Sequence, residues 1–240
     1  MEALRSDREI EKLTVLKQKD GNGRQANPEG SLKKIIGKAR DRGIPVTYAE
    51  RSALDRMAGG QVHQGVIAVA SDYEYCTVED LLQTARDRGE APLLLLLDGL
   101  EDPHNLGAIM RTAECAGAHG VIIPERRSVS VNETVMKTSA GAAQYIGCAR
   151  VTNLGRTIDQ LKEAGVWIYG CDMDGSSCFR TDLTGPAAIV VGSEGRGISR
   201  LVREKCDFIV SIPMKGQINS LNASNAAAIV VYEAVRQRME

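Results

Sequence analysis

The sequence predicts an α/β protein in which a small amino-terminal αβ domain precedes a larger domain with a mostly parallel sheet. Apolar runs alternate with amphipathic, helix-like segments along the 240 residues. From Pro92 the apolar runs become continuous, which is typical of parallel strands that are buried on both faces. A polar, acidic stretch separates the two patterns, as connections between domains often do. We therefore expect domains at 1–72 and 92–240, joined by a linker at 73–91.

The amino-terminal segment predicts alternating strands and helices. Apolar residues recur at the i, i+3, i+4, i+7 spacing of a helix from Ser31 onward, and Gly43 ends this run. Residues 20–31 are polar and contain several glycines, which favours a loop. The other elements expected in this domain are strands at 13–16, 44–48 and 66–70 and a helix at 51–57.

In the carboxy-terminal segment, short apolar runs alternate with helical patterns. Helices between parallel strands cover both faces of the sheet, so this alternation predicts a doubly wound domain. The expected strands are 93–98, 120–124, 167–171, 188–192 and 208–212, and the expected helices are 105–117, 132–142, 154–164, 197–204 and 221–238.

The composition argues against several classes of protein. No stretch approaches the roughly 20 apolar residues of a membrane span, and the amino terminus is charged rather than signal-like, so we expect a cytoplasmic protein. The six cysteines form no C-x-x-C pair, and none of the three histidines lies near a second potential ligand at the spacing of a zinc site. We therefore expect neither disulfides nor a bound metal.

Charge is distributed unevenly along the chain. Residues 1–70 carry 13 Lys and Arg against 9 Asp and Glu, whereas residues 71–90 carry 2 against 6. The excess of basic residues in the first segment permits a surface for nucleic acid there. An ordinary solvated face is the alternative explanation.

The first of three polar blocks follows the strand expected at 93–98. Pro103 leads into a helix with Asn105 at its start and Arg111 exposed about one and a half turns later. An amide and a guanidinium at a helix amino terminus suit an anion. Alternatively, Asn105 caps the helix and Arg111 lies on a solvated face.

The second block, at 189–202, is a glycine-rich turn. Glycines at 192, 195 and 197 let the backbone approach a ligand closely, and Glu194 lies on the turn. The spacing is not G-x-G-x-x-G and the block follows a late strand, which argues against a nucleotide-dependent oxidoreductase. A tight strand-to-helix turn with an exposed glutamate remains the simpler alternative.

The third block, at 211–238, begins a helix that is otherwise mostly Ala, Val and Ile. Four hydroxyl and amide side chains crowd its start: Ser220, Asn222, Ser224 and Asn225. Ordinary capping by Ser220 explains one or two of them but not all four.

Together the three blocks resemble the signature motifs of the TrmH-type SPOUT RNA methyltransferases. The motifs are N-L-G-A-I-x-R-T-A at 105–113, G-S-E-G-R-G at 192–197 and I-P-M…S-L-N-A-S at 212–224. Val62–Ala70 is similar to the end of the family's L30e-like RNA-binding domain, and D-P-H-N-L-G is similar to the RlmB branch. Two features depart from the family: Asn-Ala-Ser stands at 222–224 where Asn-Val-Ser is frequent, and the first domain is expected to be shortened at its start.

The resemblance implies a fold and an activity. The carboxy-terminal domain would contain a deep trefoil knot, which general rules of chain topology would not have suggested. The protein would act as a homodimer that transfers a methyl group from S-adenosylmethionine to the ribose 2′-hydroxyl of a guanosine in 23S ribosomal RNA. Transfer RNA or another ribosomal nucleotide is the alternative target, and DNA is excluded because it lacks this hydroxyl. A non-catalytic RNA-binding protein and a resistance-type ribosome modifier are further alternatives.

The resemblance also implies site residues. Arg111 would activate the ribose hydroxyl, either as a base or by orienting a phosphate and stabilising developing negative charge. The implied catalytic residues are Asn105, Arg111, Glu194, Ser220 and Asn222. The implied cofactor-binding residues are Thr138, Gly141, Gly192, Gly195, Ile212, Met214 and Leu221. Candidate contacts to RNA phosphates are Arg24, Lys33, Lys34, Lys38, Arg126 and Arg127.

Overall fold

The chain forms two compact units in a computed structural model. The structure describes residues 10–17, 30–41, 43–70, 73–218 and 220–239. The first unit is Met1–Tyr73 and the second is Glu74–Glu240. The start of the chain, most of the loop expected at 20–31 and Arg24 lie outside the described residues.

The described residues of the first unit form a three-stranded sheet with two helices. Strand β1 lies in the centre, parallel to β2 and antiparallel to β3. The helix α1 buries Ile35, Ile36 and Ala39 against this sheet, as its spacing predicted. The elements are β1 (Ile10–Leu16), α1 (Gly30–Asp41), β2 (Val46–Ala49), α2 (Arg51–Met57) and β3 (Val66–Ala70).

Strand β2 begins two residues later than predicted. Gly43 has a φ of 70°, and the Ile44 N–H donates to the Ala39 carbonyl over 2.8 Å. This bond closes the end of α1, and Pro45 then has no N–H for a strand ladder. Lys33, Lys34 and Lys38, the candidate phosphate contacts of α1, are exposed.

The second unit is a six-stranded parallel sheet with helices between its strands. The strand order is β6-β5-β4-β8-β7-β9, and every described pairing in this sheet is parallel. The central strand β4 is apolar and buried from Leu93 to Leu97, which confirms the prediction from its continuous leucine run. The strands are β4 (Leu93–Asp98), β5 (Gly120–Pro124), β6 (Cys148–Val151), β7 (Trp167–Ser177), β8 (Ala187–Gly192) and β9 (Phe208–Ser211). The helices are α3 (Val78–Arg88), α4 (Pro103–Cys115), α5 (Glu133–Thr138), α6 (Leu154–Glu163), α7 (Arg200–Arg203) and α8 (Ala223–Arg238).

The segment expected to be a linker at 73–91 is instead largely part of the second unit. Its helix α3 buries Val78, Leu81, Leu82 and Ala85 in the core of that unit. Thr77 and Asp80 form a capping box at its start, so some of the acidic residues that suggested a connection serve a helix end. The observed boundary lies between Tyr73 and Glu74.

Two helices are shorter than predicted because the backbone turns left-handed. α5 ends at Thr138, before Ala140 and Gly141 with φ values of 51° and 89°. A short 3₁₀ helix, Ala142–Gln144, follows. α7 begins only after Gly197, whose φ is 66°. The other helices differ from their predicted bounds by three residues or fewer at each end.

His119, just before β5, is buried in its neutral form. Its Nδ1 accepts the Leu93 N–H over 3.0 Å, so Nε2 carries the proton and donates to Glu90 Oε2 over 3.0 Å. Desolvation by burial lowers the pKa of His119 below its ordinary value of 6.5. A proton on Nδ1 would also remove the acceptor of the Leu93 N–H.

We expect this histidine to destabilise the fold in acid. Below pH 6.5 the unfolded chain protonates His119 while the folded chain resists protonation, so the free energy of unfolding falls as the pH drops. Urea unfolding at about pH 7.5 and pH 5.5 tests this expectation in the wild type and in His119→Gln. The variant should lose less stability between the two pH values. An equal loss in both proteins would contradict the assignment.

Within the part of the chain that the structure describes, no helix is long and apolar enough to cross a membrane.

Candidate active site

The three polar blocks meet at the carboxyl edge of the parallel sheet. The last residues of the neighbouring strands β4 and β8, Asp98 and Gly192, pair in register. The first block continues from β4 into α4, and the second continues from β8 into the glycine-rich turn. The third block starts α8, which packs against α4 and β8. Open α/β sheets bind ligands at this edge.

One residue from each block joins a closed hydrogen-bonded triangle. Asn105 Nδ2 donates to Glu194 Oε1 over 2.9 Å, and Asn222 Nδ2 donates to the same oxygen over 2.6 Å. Asn222 Nδ2 also donates to Asn105 Oδ1 over 2.9 Å. The structure thus brings together three of the five predicted catalytic residues, although they lie far apart in the sequence.

The start of α8 orients the Asn222 side chain within this triangle. Asn222 is the N-cap, and its Oδ1 accepts the backbone N–H groups of Ser224 and Asn225 over 3.0 and 3.4 Å. The amide nitrogen of Asn222 therefore points away from the helix, toward Asn105 and Glu194. Asn105 in turn presents its oxygen to Asn222 and its nitrogen to Glu194. The resulting arrangement holds a carboxylate between two amide donors.

The cap residues differ from the alternatives that the sequence left open. Asn105 does not cap α4, because Asp102 does so by accepting the His104 N–H over 2.9 Å, with Pro103 at the first helical position. Ser220 is likewise not the cap of α8; it is exposed two residues earlier. Asp102 followed by Pro103 is a known signal for the start of a helix, and it accounts for the cap that the structure shows.

A tight turn presents Glu194. Ser193 and Gly197 exchange two backbone hydrogen bonds of 3.1 and 2.9 Å, and Gly195 and Gly197 have positive φ values of 79° and 66°. A Cβ on Gly192 would lie 2.0 Å from the Gly197 carbonyl carbon. The backbone therefore closes on itself at Gly192, and only glycine fits there.

Two further positions support the site without having been predicted. Asp98 Oδ2 accepts the Ser199 N–H over 2.7 Å, which fixes the chain where it enters α7. Gly107 lets α4 approach α5 closely, since a Cβ there would lie 2.7 Å from Thr138 Cβ. A polar residue at a strand end and a glycine within a helix were the sequence signals for these contacts.

Arg111 does not join the triangle. It lies six residues beyond Asn105 on α4, about 9 Å along the axis and roughly 240° around it. Its side chain is exposed, and within the described ranges no hydrogen bond or ion pair links it to Asn105, Glu194 or Asn222. The same holds for Ser220. A single chain therefore gathers only part of the predicted catalytic set.

Comparison with known proteins identifies the family. Residues 92–232 match the SpoU rRNA Methylase family. The chain belongs to this family. Residues 1–76 match a second family, described as RNA 2′-O ribose methyltransferase substrate binding. The resemblance to TrmH-type RNA methyltransferases is thereby confirmed.

Individual relatives agree with the SpoU assignment. A Bacillus subtilis protein, YacO, whose name places it in the TrmH family of tRNA/rRNA methyltransferases, is 46% identical over 239 residues, covering 99% of this chain and 92% of the relative. A Staphylococcus haemolyticus protein named for the same family is 48% identical over 206 residues, covering 85% and 82%. The crystal structure of the SpoU methyltransferase AviRb from Streptomyces viridochromogenes, in complex with AdoMet, has a TM-score of 0.64 and 25% identity, covering 99% and 86% of the two chains.

The cofactor-binding residues that the resemblance to TrmH-type methyltransferases implies lie in three segments. Thr138 ends α5 and Gly141 precedes the 3₁₀ helix; Gly192 and Gly195 border the glycine turn. Ile212 follows β9, and Met214 and Leu221 beyond it are each 39% exposed. Met214 and Leu221 offer apolar surface and Gly195 offers uncovered backbone, and groups of these two kinds suit a flat heterocycle. Among the described residues no group of three or more His, Cys, Asp or Glu could hold a metal ion.

Substitution of Asn222 separates its two roles. In Asn222→Asp the carboxylate still caps α8, so we expect stability within about 1 kcal/mol of wild type. The carboxylate cannot donate to Asn105 or Glu194 and repels the latter, so methyl transfer should fall by about 100-fold. Urea unfolding and a methyl-transfer assay measure the two effects.

Asn222→Ala is the matched control. It removes the cap as well as the donor, so it should lose about 1 kcal/mol of stability in addition to activity. Full activity in Asn222→Asp would show that the triangle plays no part in the reaction.

Proposed function

We propose that this enzyme transfers a methyl group from S-adenosylmethionine to the ribose 2′-hydroxyl of a guanosine in 23S ribosomal RNA, as in the RlmB branch. The observation that carries the proposal is the triangle of Asn105, Glu194 and Asn222, which unites the three motifs. The names of the Bacillus and Staphylococcus relatives support an RNA substrate. The AdoMet complex of AviRb supports the methyl donor.

The residues present fit S-adenosylmethionine. Gly195 leaves its backbone uncovered, Gly192 keeps the turn closed, and Ile212, Met214 and Leu221 supply apolar side chains after β9 and before α8. Thr138 and Gly141 complete the set that would hold the donor. When bound, the donor supplies a methyl group on a sulfonium, which is electrophilic without further activation. The protein must therefore orient the ribose oxygen and manage its proton.

In the proposed reaction Arg111 stabilises negative charge and does not act as a base. A guanidinium stays protonated in proteins and gives up its proton too reluctantly to act as a base. It instead orients an RNA phosphate and stabilises the negative charge that develops on the 2′-oxygen. Asn105 positions the ribose, Glu194 orients a base edge or a guanidinium, and Ser220 and Asn222 complete the pocket.

The position of Arg111 supports a homodimer. Because Arg111 and Asn105 lie on different faces of α4, a second subunit is the simplest source of the guanidinium for each site. We place the two subunits around a two-fold axis, so that residues from both complete each of two sites. The activity assigns the enzyme to the cytoplasm, where ribosomal RNA is available.

The chain path supports the trefoil knot. β9 lies beyond β7 at one edge of the sheet, yet α8 packs on β8 and α4. The connection at 212–222 therefore returns to the glycine turn, where Asn222 meets Glu194. We place this return through the neighbouring loops as a deep knot. For the first unit, the match to a substrate-binding family supports an L30e-like, RNA-binding role.

The decisive experiment is transfer of labelled methyl groups to unmodified ribosomal RNA, bulk transfer RNA and DNA in parallel. Nuclease digestion then identifies the modified nucleoside. We expect 2′-O-methylguanosine in ribosomal RNA and no label in DNA. Label in transfer RNA alone would support the methyl-transfer reaction and show that the RNA target is transfer RNA rather than ribosomal RNA. Absence of S-adenosylmethionine binding by calorimetry would overturn the proposal.

A further inference from the structure

The loop at 125–131, which follows β5, is anchored at both ends. On one side the Val129 N–H and the Ser128 hydroxyl both donate to the Leu100 carbonyl, over 2.8 and 3.1 Å. On the other side, the Glu125 N–H donates to the Val151 carbonyl over 2.8 Å. The Arg150 guanidinium donates to the Glu125 carbonyl over 3.1 Å. Such a loop holds its shape without a ligand.

Arg127 occupies an unusual backbone conformation in this loop. Its φ is 57°, in the left-handed region that side chains other than glycine seldom adopt. The anchors on either side impose this conformation. The side chain is exposed and has no hydrogen-bond or ion-pair partner within the described part of the chain. Costly backbone conformations of this kind cluster at functional sites, and here the conformation presents an exposed cation.

The loop lies beside the turn that carries Glu194. Gly99, just after β4, separates the two: a Cβ built on it would lie 3.7 Å from the Arg127 carbonyl oxygen and 3.9 Å from Ser193 Cβ. Arg127 therefore borders the same sheet edge as the hydrogen-bonded triangle. Arg126 and Arg127 give this side of the edge two adjacent cations.

We propose that Arg127 binds an RNA phosphate that flanks the methylated ribose and so fixes the nucleotide in the site. The inference rests on the proposed function, because it requires an RNA substrate. Every ribose in an RNA chain lies between two phosphates, so a substrate whose 2′-hydroxyl reacts at this edge brings a phosphate close to it. A guanidinium matches a phosphate with two parallel hydrogen bonds, and a prearranged loop loses little entropy on binding.

The test compares Arg127→Gly with Arg88→Ala in the full-length protein. Glycine suits the positive φ, so Arg127→Gly removes the guanidinium and leaves the loop intact. Arg88→Ala removes the same charge at the opposite edge of the sheet, near His119 and the start of β4. The RNA probe is a short oligonucleotide spanning the nucleotide that the wild type methylates.

We expect Arg127→Gly to raise the KM for RNA about 10-fold, to leave kcat within about 2-fold, and to leave S-adenosylmethionine affinity unchanged. Log affinity falls with log salt concentration in proportion to the number of phosphate contacts. In Arg127→Gly this dependence should be shallower than in the wild type by the contribution of about one contact. Arg88→Ala should match the wild type. Wild-type affinity for RNA in Arg127→Gly, or an equal loss in both variants, would overturn the inference.

Replacing single phosphates of the RNA with an uncharged linkage identifies the phosphate that Arg127 contacts. In binding assays the target nucleotide is made 2′-deoxy, and methylphosphonate replaces one phosphate at a time. We expect a flanking methylphosphonate to weaken wild-type binding about 10-fold and to have no further effect in Arg127→Gly. The inference would be overturned if the Arg127→Gly substitution removed the effect of methylphosphonate only at phosphates distant from the target nucleotide. A wild-type protein that binds RNA with this coupling and transfers no methyl group would refute the proposed function alone.

Discussion

Gly192→Ala is expected to abolish methyl transfer and to lower the free energy of unfolding by about 3 kcal/mol. The new Cβ would lie 2.0, 2.2 and 2.3 Å from the Gly197 carbonyl carbon, its oxygen and the Ile198 nitrogen. These are backbone atoms, so no rotamer change relieves the overlap. They can move only if the two hydrogen bonds between Ser193 and Gly197 break, which also displaces Glu194.

Two other glycines serve as controls for this prediction. A Cβ on Gly216 meets nothing within 4 Å, and Gly216 has no positive φ, so Gly216→Ala should unfold like the wild type. Gly195 also has open space but a φ of 79°, so Gly195→Ala should lose about 1 kcal/mol from backbone strain alone. Urea unfolding ranks the three variants. Gly192→Ala with wild-type stability would show that the turn is looser than the structure describes.

Arg111→Lys is expected to lower kcat about 100-fold while stability and S-adenosylmethionine affinity stay unchanged. Lysine keeps the positive charge, but it lacks the planar guanidinium whose several N–H groups can donate to a phosphate and a developing alkoxide at the same time. Because Arg111 is exposed and unpaired with the triangle, its replacement disturbs little of the fold. Steady-state methyl transfer and calorimetry measure the two effects. Full activity in Arg111→Lys would exclude a role specific to the guanidinium.

Mixed dimers test whether the two subunits of the proposed homodimer share each site. Arg111→Lys and Asn105→Ala are each expected to be nearly inactive alone, whereas a heterodimer of the two would keep one site with both native groups. Random mixing should restore about a quarter of wild-type activity. If each protomer used its own Arg111, mixing would restore nothing.

Much of the fold followed from local pattern. The leucines of β4, the alternation of the first unit and the spacing of α1 and α2 depend on burial and periodicity, which the sequence displays directly. Strand β6 was missed because it is a four-residue edge strand that contains Arg150. Helix α3 was taken for a linker because its exposed face carries the charge that suggested one.

The sequence by itself determined the motifs and hence the family, because the residue types that hold a ligand at a sheet edge recur at fixed local spacings. Only the tertiary structure decided which of those residues lie within hydrogen-bond distance of one another. Asn105, Glu194 and Asn222 meet because β4 and β8 are neighbours and α8 returns to pack on α4 and β8. These are long-range pairings that no local spacing encodes. The same packing left Arg111 on another face of α4, since helix geometry separates residues six positions apart.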